Sequence, residues 1–190
     1  LRGRLRSSRV CGTRRVLAGF GIETARLRLR ELTLADAPLM LAIWNDPAFI
    51  RFVGDRGIRT LDDARAAMTA GALKLYADYG YGPYGVELRD EGTPIGICGL
   101  FRRQDLDEPD IGFATLPAYC GNGYAYEASR AVMEYARDDL GLPRLTAIVS
   151  PENEASVGLI RKLGLRFERM HRMAGDDEDV AIYGICLRSR

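Results

Sequence analysis

A chain of 190 residues, 47% hydrophobic and 28% charged, has the length and balance of one globular domain that folds without a metal or a disulfide. No apolar run approaches membrane-spanning length, which excludes an integral helical membrane protein. Net charge is +1, but residues 1–20 carry six arginines and no acid, so 21 basic and 26 acidic groups remain in residues 21–190, a net of −5; that argues against a nucleic-acid groove and suits an amine substrate.

Residues 1–20 (LRGRLRSSRVCGTRRVLAGF) read as a basic tail, disordered or loosely docked, ahead of a single domain over 21–190. A targeting peptide, a basic arm for RNA and an upstream-start extension are its alternative origins. RLRLRE at 26–31 alternates strictly and predicts a first strand with Leu27 and Leu29 inward. Residues 34–52 read as one or two short helices around Trp44 and Phe49, broken at Asn45-Asp46-Pro47. Thr60-Leu61-Asp62-Asp63 opens a helix in capping-box fashion, and Gly80-Tyr81-Gly82-Pro83 stops it. Strands follow at 84–88 and 94–102, joined by the turn Asp90-Glu91-Gly92-Thr93.

The stretch DIGFATLPAYCGNGYAYE, residues 110–127, organises the rest. Its first part alternates as a strand, and Pro117 ends it because proline has no N–H for a ladder. Gly121 and Gly123 follow, then a helix with Tyr124, Ala128, Ala131, Val132 and Tyr135 on one face. Strand, glycine loop and helix start make an anion site, because the first helical amides have no internal partners and the dipole there is positive. The same glycines also suit a merely tight turn. A dinucleotide loop fits poorly, with Tyr126 where its third glycine belongs, and no Gly-Lys-Ser/Thr follows to make a Walker loop.

Gly141 and Pro143 end that helix, and 145–149 forms a strand which a helical crossover makes parallel to the preceding one. A helix over about 153–163 ends at Gly164, and 166–173 pairs with 180–187 across AGDDED. The sum is an α/β (α+β) fold: a mixed, mostly antiparallel seven-stranded sheet with about four helices. Cys11, Cys98, Cys120 and Cys186 lack metal-ligand spacing and, with a single histidine, argue against zinc. Reduced thiols in a cytoplasmic protein account for them. Cys98 and Cys186 sit in apolar strand patterns and are expected in the core. Cys120 lies at the helix mouth, where a thiolate would be stabilised, but His171 is in a remote strand and supplies no base.

Three blocks resemble the GNAT acyl-CoA N-acyltransferase superfamily, and within it the RimJ/RimL-type branch that includes ribosomal-protein-alanine acetyltransferases. They are RLRLRELTLADAPLMLAIWNDPAFIRF, DIGFATLPAYCGNGYAYEASRAVMEYA and VSPENEASVGLIRKLGLRFE. The resemblance implies acetyl transfer from acetyl-CoA to a primary amine, a protein α-amine or a small amine, by direct attack in a ternary complex. It places the family's Gln/Arg-x-x-Gly-x-Gly/Ala phosphate loop on Cys120-Gly121-Asn122-Gly123-Tyr124-Ala125, with Cys120 replacing the usual polar or charged residue. Backbone amides remain, so CoA affinity is expected to be weaker but intact. The pantetheine arm is implied along Phe113, Ala114 and Leu116, with strand 145–149 splayed away and Asn153 facing the gap. Asn153 also suits the N-cap of its own helix.

The chemistry needs a neutral amine, a donor for the oxyanion and a donor for the departing thiolate. A backbone N–H near Phe113 or Ala114 is the oxyanion candidate. Ser156, one turn after Asn153, is the candidate donor to the thiolate, against a back-bonded serine as the plain alternative. For a base acting through water the carboxylates are Asp110, Glu87 and Glu127. Tyr119, Tyr124 and Tyr183 are candidates to flank the site, and the cleft is expected to draw on 44–60 and 76–84. No metal is implied, and a homodimer is left open. The alternatives are an acyl-CoA-binding module of the same fold with weak chemistry and, more remotely, a nucleotide-dependent oxidoreductase.

Overall fold

A computed structural model describes residues 15–16, 20–173 and 178–187. Of the expected tail at 1–20, residues 1–14 and 17–19 lie outside the described residues, as does the turn at 174–177. Its described remainder is not loose, since Arg15–Val16 pairs as a strand with Ile22 and Glu23 and the Phe20 ring stacks on Tyr84 with centroids 4.2 Å apart.

The described strands are β1 (Arg15–Val16), β2 (Gly21–Glu23), β3 (Leu27–Glu31), β4 (Pro83–Leu88), β5 (Pro94–Phe101), β6 (Asp110–Thr115), β7 (Arg144–Val149), β8 (Arg166–Arg172) and β9 (Asp179–Cys186). They form one sheet in the order β1-β2-β3-β4-β5-β6-β7-β9-β8, antiparallel except for β6 with β7. Nine strands replace the seven expected. The two extra ones precede β3, and three residues in Gly21–Glu23 are too few for alternation to register. Thr24 makes that turn: its N–H donates to Leu27 O at 2.9 Å, and its Oγ1 accepts from Leu27 N at 2.9 Å.

The helices are α1 (Ala37–Trp44), α2 (Pro47–Val53), α3 (Leu61–Met68), α4 (Lys74–Tyr79), α5 (Tyr124–Asp138) and α6 (Glu154–Lys162). The opening helical stretch divides in two at Asn45-Asp46. Asp46 caps α2, its Oδ1 accepting from Ala48 N at 3.0 Å and Phe49 N at 3.1 Å, an arrangement worth about 1 kcal/mol. Thr60 and Asp63 form the predicted capping box. A π-helical segment, Thr69–Leu73, joins α3 to α4 and was not legible beforehand.

The sheet carries helices on both faces. One core gathers Leu27, Leu29, Tyr84, Leu100 and Ile111 with α5 and α6; the other gathers Leu32, Met40, Ile43, Trp44, Met68 and Ile97 under α1 and α3. Small residues let α5 sit close to the strands: Ala128, Ala131 and Ala136 are buried beside Val132, which is fully buried and alone contributes about 2 kcal/mol. Among the described residues no helix is long and apolar enough to cross a membrane.

Candidate active site

The feature that makes a site is the break between β6 and β7. Their ladder holds one register pair, Asp110 with Thr146, and Thr146 N donates to Pro109 O at 3.0 Å. Beyond it β7 continues with β9 as far as Val149, opposite Ala181, while β6 runs on with β5 alone. Leu116 N bonds Ile95 O at 2.8 Å, in line with the register that sets Ala114 opposite Ile97. Bonded pairs alternate in an antiparallel ladder, so the amides of Leu116, Ala114 and Gly112 face β5, and those of Phe113 and Thr115 face the gap. Of the two oxyanion candidates, the Phe113 N–H is therefore the one aimed at the gap.

At the end of β6 the chain turns through a short 3₁₀ segment, Pro117–Tyr119, into the glycine loop. Gly121 and Gly123 both have φ of +78°, a left-handed conformation that glycine adopts without strain. Gly123 is the cap residue of α5 and leaves the first amides of the helix without a side-chain cap. Arg26 steadies the loop from the β2–β3 turn. Its Nη1 donates to Asn122 O at 3.0 Å, its guanidinium lies 4.6 Å from the Tyr124 ring centroid, and its Nε donates to Glu127 Oε2 at 2.7 Å.

A cavity of about 570 Å³ joins the gap to the loop. Phe113, Ala114, Leu116, Cys120, Gly121, Gly123, Tyr124, Ala125, Asn153 and Ser156 all line it. Asn122 does not: its amide nitrogen donates to Tyr119 O and Cys120 O, each at 3.2 Å, and so shapes the loop from within. Asn153 is an N-cap, its Oδ1 accepting from Ser156 N at 3.1 Å, and it lines the cavity as well. Ser156 Oγ is not back-bonded and has no hydrogen-bond partner among the described residues. Tyr119 lines the cavity with Tyr124, whereas Tyr183 is core, its hydroxyl accepting from Arg161 Nη2 at 3.3 Å.

Asp110 is not brought to this cavity. It is 2% exposed at the closed end of the β6–β7 pair, and Arg103 Nε donates to its two oxygens at 3.1 and 3.3 Å. Burial raises its pKa, with Arg103 opposing. Glu87 is held by Arg30 Nε at 2.6 Å. Glu127 accepts from Thr24 Oγ1 at 2.6 Å and from Arg26 N at 2.9 Å. Burial pushes the Glu127 carboxyl up, but these bonds and the Arg26 charge more than offset it and hold it below the usual range. All three base candidates are thus engaged in structural pairs. Asp110→Asn is expected to leave kcat within about threefold of the parent, whereas loss of a general base costs on the order of 10²-fold or more in steady-state turnover.

Among the described residues the one carboxylate lining the cavity is Asp46, with Phe49 and Phe52 beside it on α2. The expected contribution from 44–60 thus comes from its first half, and 76–84 does not line the cavity. The Asn-Asp-Pro break signals a helix cap in the sequence; only the packing of α2 against the gap turns it toward a ligand. Cys120 also differs from expectation. Burial, and then the Asp46 charge, push its thiol up, and Sγ lies 3.6 Å from both Thr115 O and Leu116 O, where the protonated form donates. Cys98 is buried, its thiol pushed up to about 12 by burial with Ser129 opposing, while Cys186 is exposed rather than core.

An open parallel pair, an amide-rich helix mouth and a cavity joining them suit a cofactor with an extended arm and an anionic end. The acetyltransferase (GNAT) domain profile matches residues 26–166. This chain belongs to the GNAT acetyltransferase family. The acetyltransferase is 31% identical to the uncharacterized N-acetyltransferase YoaA of Bacillus subtilis over 169 residues, 86% of this chain and 95% of YoaA. An acetyltransferase crystal structure from Agrobacterium tumefaciens superposes with a TM-score of 0.74 at 26% identity, covering 97% of this chain and 98% of that one. RimL in complex with coenzyme A matches with a TM-score of 0.72 at 18% identity, over 86% of this chain and 95% of RimL; this carries the fold alone. The enzyme is therefore an acyltransferase by family, which sets aside the oxidoreductase.

Proposed function

We propose that this acetyltransferase moves the acetyl group of acetyl-CoA to a primary amine by direct attack, with CoA laid along β6 and its diphosphate on the amides of residues 121–126. The observation that carries this reading is the single-pair β6–β7 ladder opening into the cavity that the glycine loop lines. The pantetheine arm adds to the free edge of β6 as an extra strand, its amides pairing with groups of Phe113 and Thr115. The thioester then lies by the Phe113 N–H, which holds the oxyanion as the tetrahedral adduct forms. Ser156 Oγ–H donates to the departing thiolate, and Asn153, fixed by its own cap, faces the arm. The amine arrives neutral and loses its second proton to water in the open cavity mouth.

For the acceptor, Phe49 and Phe52 offer the cavity an apolar wall, and Asp46, whose charge also reaches Cys120, offers one negative charge. That suits one amine on an apolar body, such as a peptide α-amine of the kind RimL's name describes or a small amine. It suits less well the several cations of spermine, the ligand of a spermidine N-acetyltransferase structure from Vibrio cholerae. Three free cysteines among the described residues agree with a cytoplasmic setting.

Thiol release from acetyl-CoA with a panel of amines and peptides tests the reaction: release that depends on an amine supports it, and release with none of them removes it. Ser156→Ala is expected to lower kcat on the order of 10²-fold while the Kd for CoA stays within about twofold. Unchanged turnover would take the thiolate role from Ser156.

A further inference from the structure

The loop proposed to hold the diphosphate, residues 120–125, begins with an uncharged thiol, Cys120, and carries no cationic side chain, yet its expected ligand is a polyanion. Among the described residues that line the cavity the one cation is Lys162, in the last turn of α6. Its ammonium sits 4.6 Å from the ring centroid of Tyr126, the third residue of α5, and both residues line the cavity with the glycine loop. A cation–π contact of this kind holds the ammonium in place without neutralising it.

Lys162 is also unlike its neighbours. Arg26 is spent on Glu127 at 2.7 Å, Arg130 on Glu134 at 3.1 Å, and Arg51 reaches Glu152 at 3.6 Å. Lys162 has no carboxylate partner among the described residues, and it shares the cavity with the negative charge of Asp46. An ammonium without a carboxylate partner, in a cavity that the start of α5 also lines, is an arrangement that a phosphate completes.

We propose that Lys162 supplies from α6 the positive charge that the first position of the loop lacks, and pairs with a phosphate of CoA. The inference rests on the acetyl-CoA reading above. It names a phosphate-binding residue on α6, outside the loop that the sequence pattern marks.

The test compares the full-length parent with Lys162→Gln and Lys162→Arg, using calorimetric Kd for acetyl-CoA and for its 3′-dephospho form, and kcat/KM for acetyl-pantetheine, which has no phosphate. Lys162 is exposed, so both variants are expected to melt with the parent. Lys162→Gln is expected to weaken acetyl-CoA binding about tenfold or more, Lys162→Arg to restore it to within about threefold, and acetyl-pantetheine to be used equally by all three. A penalty that persists with the dephospho form assigns the contact to the diphosphate, and one that vanishes assigns it to the 3′-phosphate. Lys162→Gln binding acetyl-CoA as tightly as the parent overturns the proposal. A parent that binds no acetyl-CoA overturns the underlying reading instead.

Discussion

Gly123→Asp is expected to abolish acetyl-CoA binding in a protein that still folds, raising Kd by about a hundredfold or more, on the order of 3 kcal/mol. Gly123 sits at φ +78° as the cap residue of α5, so any side chain adds left-handed strain of about 1 kcal/mol. Space is not the difficulty. The nearest atom to an added Cβ is the flexible end of Arg26, Nη2, at 3.6 Å. Aspartate is among the residues that visit this conformation, and its carboxylate would take the helix amides for itself and repel a diphosphate. Gly123→Ala carries the strain without the charge and serves as the control, with a much smaller loss. Calorimetry on the two variants, beside a melting curve for each, separates occupation of the amides from loss of fold. Gly123→Asp binding acetyl-CoA like the parent would remove the loop from the cofactor site.

The second large effect falls on stability. Gly99→Val is expected to unfold the enzyme or lower its stability by about 3 kcal/mol or more, read as a fall in the urea midpoint. Gly99 lies in β5 where β4 crosses close: a Cβ there would run into Gly82 O, stand 2.5 Å from Pro83 Cα and 2.9 Å from Tyr84 N. All three are backbone atoms, which cannot swing aside as a side chain can, and Leu100 N donates to that same Gly82 O at 3.1 Å. Gly71→Ala gives a contrast of opposite sign. Nothing lies within 4 Å of its Cβ position and its φ is not positive, so alanine should be neutral or stabilise by up to about 1 kcal/mol.

What could be read from the sequence follows from how locally each feature is encoded. Leu27 and Leu29, the Thr60 capping box, the stop at Pro117 and the helix face of Ala128, Val132 and Tyr135 are set within a few residues, and the structure has them where the pattern put them. Gly121 and Gly123 announced the left-handed turn into α5 for the same reason. What escaped is what distant segments do to one another. Arg26 and Glu127 are 101 positions apart, yet together they brace the loop. Nothing near Cys120 in the chain shows that Asp46 on α2 will stand by it and that burial will favour its thiol over its thiolate. Asp110 stood among the base candidates because its position resembles one often acidic in the family branch; its burial, and its pairing with Arg103 at the closed end of the β6–β7 gap, come from the fold. Lys162 read as the end of a helix until α6 packed across from Tyr126.

Amide hydrogen exchange of the parent with and without acetyl-CoA tests the central claim most directly, because the claim concerns which backbone amides take up the cofactor. Slowed exchange is expected at Phe113 and Thr115 on the open edge of β6 and at residues 121–126 at the start of α5, with the sheet from β7 to β9 unchanged. Protection confined to other segments, or absent at saturating acetyl-CoA, would contradict the account.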